Sequence, residues 1–251
     1  MCRHIAYLGR PVALGEVLTR PAHCLVRQSW APRRQRYGTV NADGFGVGWY
    51  ADGDPVPGRY RRRGPVWGDQ TFADLARVVR SHALLAAVRD ATAADPDGEA
   101  AAAPFTAGDV LFSHNGALKD WPGSVAALAA TLPPAELLRL TARSDSALVW
   151  ALVRHRIAAG DALPQAVADT VLEVAEAAPG SRLNLLLTDG RTIVATAWGD
   201  TLWHLCEPGR HTVVASEPYD DDPRWCEVPD RTLLTATSAD VLLTPLKEPH
   251  A

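Results

Sequence analysis

The chain has no apolar run long enough to span a bilayer, which takes about 20 residues. Its start does not pass from a basic patch into an apolar stretch, so neither a membrane anchor nor a secretory signal is expected. Cysteine is scarce. Cys2, Cys24, Cys206 and Cys226 are the only four, and no two share the C-x-x-C spacing of zinc or redox sites. Without an export signal, reduced thiols and a cytoplasmic location are expected. A strong charge of either sign is missing too. A net charge of −4 over 251 residues gives no electrostatic reason to expect nucleic acid or a membrane surface as partner. The histidines supply no H-E-x-x-H and no close pair at helical spacing, so no metal and no cofactor are expected. No internal repeat and no linker composition interrupts the chain, and residues 2–251 are expected to form one domain.

What is present begins at Cys2, directly behind Met1. Loss of Met1 would leave a thiol and a free α-amine on one residue. A thiol ionises near pH ~8.5 and an α-amine near ~7.7–8.0, so the amine can take the thiol proton, directly or through a water. An N-terminal amine acting as base for its own side chain is an established way to activate a nucleophile. Cysteine falls at position 2 by chance in many proteins, so the case depends on the remainder of the chain.

Hydrophobic periodicity divides that remainder. Residues 3–8 read as a buried strand stopped by Gly9-Arg10-Pro11, which would hold Cys2 at a rigid strand end. Residues 14–18 fit one or two helical turns, and 28–38 read as a loop from their proline and arginines. Gly44, Gly46 and Gly48 alternate with Phe45, Val47 and Trp49. That is not the G-x-G-x-x-G of a dinucleotide loop but a strand with one bulky face, its bare face open to another backbone or a ligand. Residues 59–63 read as a charged edge or loop, 71–80 as a helix, 83–89 as a strand and 91–103 as a surface loop. Residues 109–114 read as a buried strand running into Asn115-Gly116, a dipeptide that ordinarily marks a tight turn. Three helices are expected between Ser124 and Ala178, broken at Pro133-Pro134 and Gly160, with Ser144 or Asp145 as an N-cap. Strands return at 183–188 and 192–198, around an Asp189-Gly190 hairpin turn, and at 201–206, 212–216, 233–237 and 241–246. Strands, then helices, then strands predict two sheets with helices packed outside.

Five features stand in line: Cys2, Val88-Arg89, Pro104-Phe105, His114-Asn115-Gly116 and Ser144-Asp145. In this order and spacing the chain resembles the class-II glutamine amidotransferases, a branch of the N-terminal nucleophile hydrolases. The resemblance implies an α+β fold, a single-domain four-layer αββα sandwich, and a role for each position. Cys2 would be the nucleophile and, through its α-amine, the base. The Asn115 side-chain amide and the Gly116 N–H would form the oxyanion hole. Arg89 would hold the α-carboxylate of a glutamyl group, a planar anion suited to a guanidinium, and Asp145 its α-ammonium. The γ-carbonyl would then meet the thiolate, form a thioester, and be released by water as glutamate.

Longer stretches, residues 1–9, 28–33, 40–50, 112–116 and 216–220, are similar to the amidohydrolase branch of that family in ergothioneine biosynthesis. Its members remove glutamate from γ-glutamyl-hercynylcysteine sulfoxide, which implies a small-molecule γ-glutamyl substrate. Trp30 would then face the trimethylammonium of the hercynyl part through cation–π attraction, the alternative being that it packs under its loop. Two departures stand out. Ala102-Ala103-Pro104-Phe105 lacks the Thr and His that many glutamine-hydrolysing relatives carry before Pro-Phe, which puts glutamine itself in question. Asp90 follows Arg89 where a small residue is common, and either tethers Arg89 or faces solvent. Two other readings stay open: a glutaminase subunit supplying ammonia to a separate synthase, and a non-catalytic γ-glutamyl-binding protein. A homo-oligomer also stays open.

Overall fold

Two antiparallel sheets lie face to face with helices on their outer sides, in a computed structural model that describes residues 2–91 and 97–247. The first sheet runs, edge to edge, β11 (Cys226–Glu227), β9 (Trp203–Glu207), β10 (His211–Ala215), β1 (Arg3–Ala13), β4 (Arg80–Arg89), β2 (Gly44–Trp49) and β3 (Gly58–Arg62). The second runs β13 (Val241–Pro245), β12 (Thr232–Ala236), β8 (Ile193–Ala197), β7 (Arg182–Thr188), β6 (Val110–Ala117) and β5 (Phe105–Ala107). Helices α1 (Leu14–Leu18), α2 (Leu25–Gln28) and α3 (Gln70–Val78) cover the first sheet, and α6 (Asp145–Ala159) and α7 (Leu163–Ala177) cover the second. This is the α+β four-layer sandwich that the family resemblance implies, and it agrees with the two sheets and outer helices expected from the order of elements.

Strand alternation explains the layers. On β1 and β4, Ile5, Tyr7, Leu84, Ala86 and Val88 face the helices, whereas Ala6, Leu8, Ala83 and Leu85 meet the second sheet at Leu111, Leu186 and Ala195. The glycine face of β2 serves the same contact. A Cβ on Gly48 would stand 2.6 Å from Leu111, and one on Gly46 would stand 2.4 Å from the Ala103 carbonyl. The bare face is therefore filled by protein.

Several boundaries differ from expectation for physical reasons. β1 continues through Pro11, because its pairing with β4 slips between Leu8 and Val12 and the missing proline N–H falls where no ladder bond is needed. Asn115-Gly116 lies inside β6 and makes no turn. In the expected loop 91–103, residues 92–96 lie outside the described residues. Residues Gly98–Ala101 form a 3-10 turn; Ala101 is buried in the core and Ala102 against the glycine face of β2, so these two are not surface. The helical region begins with a 3-10 turn at Gly123–Val125 and the single turn α4 (Ala126–Ala129), and the helix expected between Pro134 and Gly160 is split into the single turn α5 (Pro134–Leu137) and α6.

Candidate active site

Register brings the nucleophile candidate and the carboxylate-binding candidate together. Arg3 pairs with Val88, so Cys2 lies across from Arg89, and the alternation that turns Ala6 and Ala83 inward turns Cys2 and Arg89 inward too. On the facing sheet Leu111 points inward, and so do Ser113 and Asn115. Between them is a small pocket lined by Cys2, Arg89, Phe105, Ser113, His114 and Ser146. Burial pushes the Cys2 thiol above its ordinary pKa. The Asp90 main-chain N–H and the Arg89 guanidinium pull it down, and the Asp145 charge adds to the rise. The thiol therefore rests protonated and needs a base to react.

Asp145 is the first residue of α6, and Ser144 is the N-cap, its hydroxyl accepting the Ala147 N–H at 3.3 Å. That frees the Asp145 carboxylate from capping. It accepts the N–H groups of Leu118 (3.0 Å) and Ser146 (2.7 Å), which fixes it beside the cavity.

The direction of the Gly116 N–H follows from the ladder. Leu183 and Leu185 of β7 send their N–H groups toward the β8 side, to the Trp198 carbonyl and the Thr196 hydroxyl, both at 2.9 Å. The residues of β7 that bond to β6 are then Asn184 and Leu186, opposite Asn115 and Ser113. Gly116 consequently turns its N–H to the other edge of β6. β5 has already ended there, its last pair being Phe105 with Phe112. The result is an unpaired donor beside the Asn115 side chain. Glycine is required at this point, since a Cβ would stand 1.9 Å from the Arg182 carbonyl. His114 is occupied structurally. Its Nε2 lies 2.9 Å from the Arg182 carbonyl, which needs a donor, and its Nδ1 lies 3.0 Å from the Ser146 hydroxyl.

A buried polar cluster joins the two sheets behind Cys2. The Ser216 hydroxyl accepts the His4 main-chain N–H at 3.1 Å and one Asn115 amide N–H at 3.4 Å, leaving the second amide N–H for a ligand. The Ser113 hydroxyl lies 3.2 Å from His4 Nδ1. Burial, with Arg3 and His114 nearby, lowers the His4 pKa to about 3, so this imidazole is neutral in the folded protein. A base whose folded pKa lies below its unfolded value stabilises the fold above the unfolded pKa, ~6.5, and that contribution is lost as pH falls toward 3. Between pH 7 and 5 the loss attributable to His4 is about 2 kcal/mol. Urea midpoints at the two pH values should show it, and a His4→Gln variant should show a correspondingly smaller difference.

Trp30 is not brought to the Cys2 cavity. It is 45% exposed and packs edge-to-face on Trp67 with ring centroids 5.6 Å apart. It begins an Ω-loop over residues 30–40, whose neck is closed by the Asn41 N–H donating to the Ser29 carbonyl at 2.6 Å. The buried Glu217 carboxylate accepts the Arg33 and Arg34 N–H groups at 2.9 and 2.7 Å. Gly38, at φ +70°, packs on the Asp90 carboxylate, where a Cβ would stand 2.2 Å from Oδ2. Asp90 thus supports the loop. Ser113, Ser146 and Ser216 are site residues that the sequence reading did not single out. Their hydroxyls matter only through partners that folding supplies, so no local pattern marks them.

All four cysteines are free thiols. Among the described residues, no three His, Cys, Asp or Glu side chains cluster so as to hold a metal, and no helix is long and apolar enough to cross a membrane.

The family model of the class-II glutamine amidotransferases matches residues 16–211. The chain belongs to the class-II glutamine amidotransferases. Two curated members are γ-glutamyl-hercynylcysteine sulfoxide hydrolases. That of Mycolicibacterium smegmatis is 43% identical over 98% of this chain and 100% of its own length. That of Mycobacterium tuberculosis is 42% identical, over 98% and 97%. Among solved structures, a glutamine aminotransferase class-II domain protein from Silicibacter pomeroyi superposes with a TM-score of 0.68 at 23% identity, covering 98% of this chain and all of its own. In this amidotransferase the family match starts beyond Cys2, so the strand-end geometry is what speaks for the nucleophile.

Proposed function

We propose that the protein hydrolyses the γ-glutamyl amide of γ-glutamyl-hercynylcysteine sulfoxide, releasing glutamate and hercynylcysteine sulfoxide, with residues 2–251 acting as one amidotransferase-like domain. The observation that carries this reading is one cavity holding an N-terminal thiol and a guanidinium, beside a carboxylate and an unpaired strand N–H. Near-full-length similarity to hydrolases of that name supports the choice of substrate.

The mechanism starts once Met1 is gone. Arg89 takes the glutamyl α-carboxylate and Asp145 its α-ammonium, which brings the γ-carbonyl to Cys2. The Cys2 α-amine removes the thiol proton as sulfur attacks the carbonyl carbon. The negative charge that develops on oxygen meets the free Asn115 amide N–H and the Gly116 N–H, each worth about 2.7–4 kcal/mol to the transition state. The C–N bond breaks, and the proton held by the amine leaves with the departing nitrogen. Water, activated by the same amine, then opens the thioester to glutamate.

The test joins two measurements on one sample. Intact mass should show loss of Met1, and glutamate should appear from the γ-glutamyl sulfoxide faster than from glutamine. Processed protein that frees no glutamate from either compound would overturn the reading.

A further inference from the structure

We propose that a second cleft, across β6 from the glutamyl cavity, holds the amine-side group of the substrate, with Arg182 and Tyr37 as its specificity-determining residues. This rests on the hydrolase reading above. The two sheets agree on the geometry. In the first, Arg89 on β4 lies to one side of the nucleophile's strand and β10 to the other. In the second, Phe105 of β5 lines the cavity on one side of β6, and β7 lies on the other. A glutamyl group seated toward β4 and β5 directs whatever follows the scissile bond toward β10 and β7.

Arg182 opens β7 at that place. It pairs with Ala117, and its carbonyl is the atom packed on Gly116. Its Nε donates to the buried Asp200 at 3.1 Å, and its guanidinium carbon stands 4.4 Å from the centre of the Tyr37 ring, carried in by the Ω-loop. Its two terminal amines donate to nothing among the described residues. Together with Trp198, Asp230 and Arg231 these side chains line an open cleft of about 410 Å³. The hercynylcysteine sulfoxide part of the substrate carries two carboxylates, one quaternary ammonium and an imidazole. The cleft offers the Arg182 guanidinium for the former, and the Asp230 carboxylate and the exposed Tyr37 ring for the latter. Ammonia, the amine released from glutamine, would have no use for it.

The experiment measures calorimetric binding of hercynylcysteine sulfoxide and, separately, of glutamate to wild-type protein and to Tyr37→Ala, Tyr37→Phe and Arg182→Lys. Tyr37 is 53% exposed, so truncating its ring leaves the core intact. Tyr37→Ala and Arg182→Lys should each weaken hercynylcysteine sulfoxide about tenfold and leave glutamate unchanged, with Tyr37→Phe behaving as wild type. In turnover, the KM for the γ-glutamyl sulfoxide should rise with kcat unaltered. Equal affinity in wild type and Tyr37→Ala, or an equal loss for both ligands, overturns the cleft. Wild type that binds hercynylcysteine sulfoxide but frees no glutamate overturns the hydrolase reading and leaves the cleft standing. Wild type that frees glutamate but does not bind hercynylcysteine sulfoxide does the reverse.

Discussion

Cys2→Ala is expected to abolish glutamate release while leaving the fold and ligand binding in place. Loss of the nucleophile in a covalent hydrolase costs on the order of 10⁶ in kcat, because the thioester path closes and only positioning and the oxyanion donors remain. Cys2 is at a strand end and is not a core residue, so the melting temperature should move little. Cys2→Ser is the informative companion. It keeps the α-amine and a nucleophilic atom of the same valence, but the hydroxyl is far less acidic, and turnover should remain well below wild type. A third form separates thiol from amine: protein with an uncleavable residue ahead of Cys2 keeps the sulfur but turns its amine into an amide. Because burial holds the thiol protonated, this form should be as inactive as Cys2→Ala. Substantial turnover from it would transfer the role of base to another group and discard the one-residue mechanism.

Gly116→Ala should damage both stability and activity. The added methyl would fall 1.9 Å from the Arg182 carbonyl and 2.5 Å from His114 Nε2. The first of these is main chain in a paired strand and cannot swing away. Relief requires β6 and β7 to separate locally, an overpacking cost of about 1–3 kcal/mol. At about 2–4 °C per kcal/mol for a chain of this size, the melting temperature should fall by several degrees. The same displacement turns the Gly116 N–H from its line, and a misdirected oxyanion donor should lower kcat by about 10²–10³. Asn115→Ala provides the contrast. It removes a donor without a steric clash, so kcat should fall by a similar factor and KM should change little. Differential scanning calorimetry and steady-state kinetics on both variants give the comparison. A Gly116→Ala protein with wild-type melting and kcat would show that this N–H has no part in the reaction.

Much of this site could be read before folding because its chemistry is local. Cys2 behind Met1, the Arg89 that ends β4 and the Asp145 that opens α6 each sit at an element boundary that periodicity locates. The alternation of Gly44, Gly46 and Gly48 also carries its structural meaning in the sequence, since a bare strand face implies a close neighbour. Asn115-Gly116 misleads for the opposite reason. Its turn preference belongs to the dipeptide, whereas continuation of β6 is imposed by β7, whose Asn184 and Leu183 lie nearly 70 positions away. The link from Asn115 to Ser216 spans 101 positions, and no periodicity encodes such a distance. Trp30 is placed by its loop. An aromatic beside arginines suggests a cation site, but the Ω-loop turns it onto Trp67 and presents Tyr37 to Arg182 instead.

Ser216 gives the two halves of the molecule a common pivot. The edge that bears the sulfur and the edge that receives the developing charge belong to different sheets, which are otherwise held mainly by apolar packing that resists sliding only weakly. A single oxygen bonded to both converts relative slip into the breaking of directional bonds. Thermal motion at this end of the sandwich should therefore carry attacker and acceptor together, so that their separation stays nearly constant while the surrounding layers breathe.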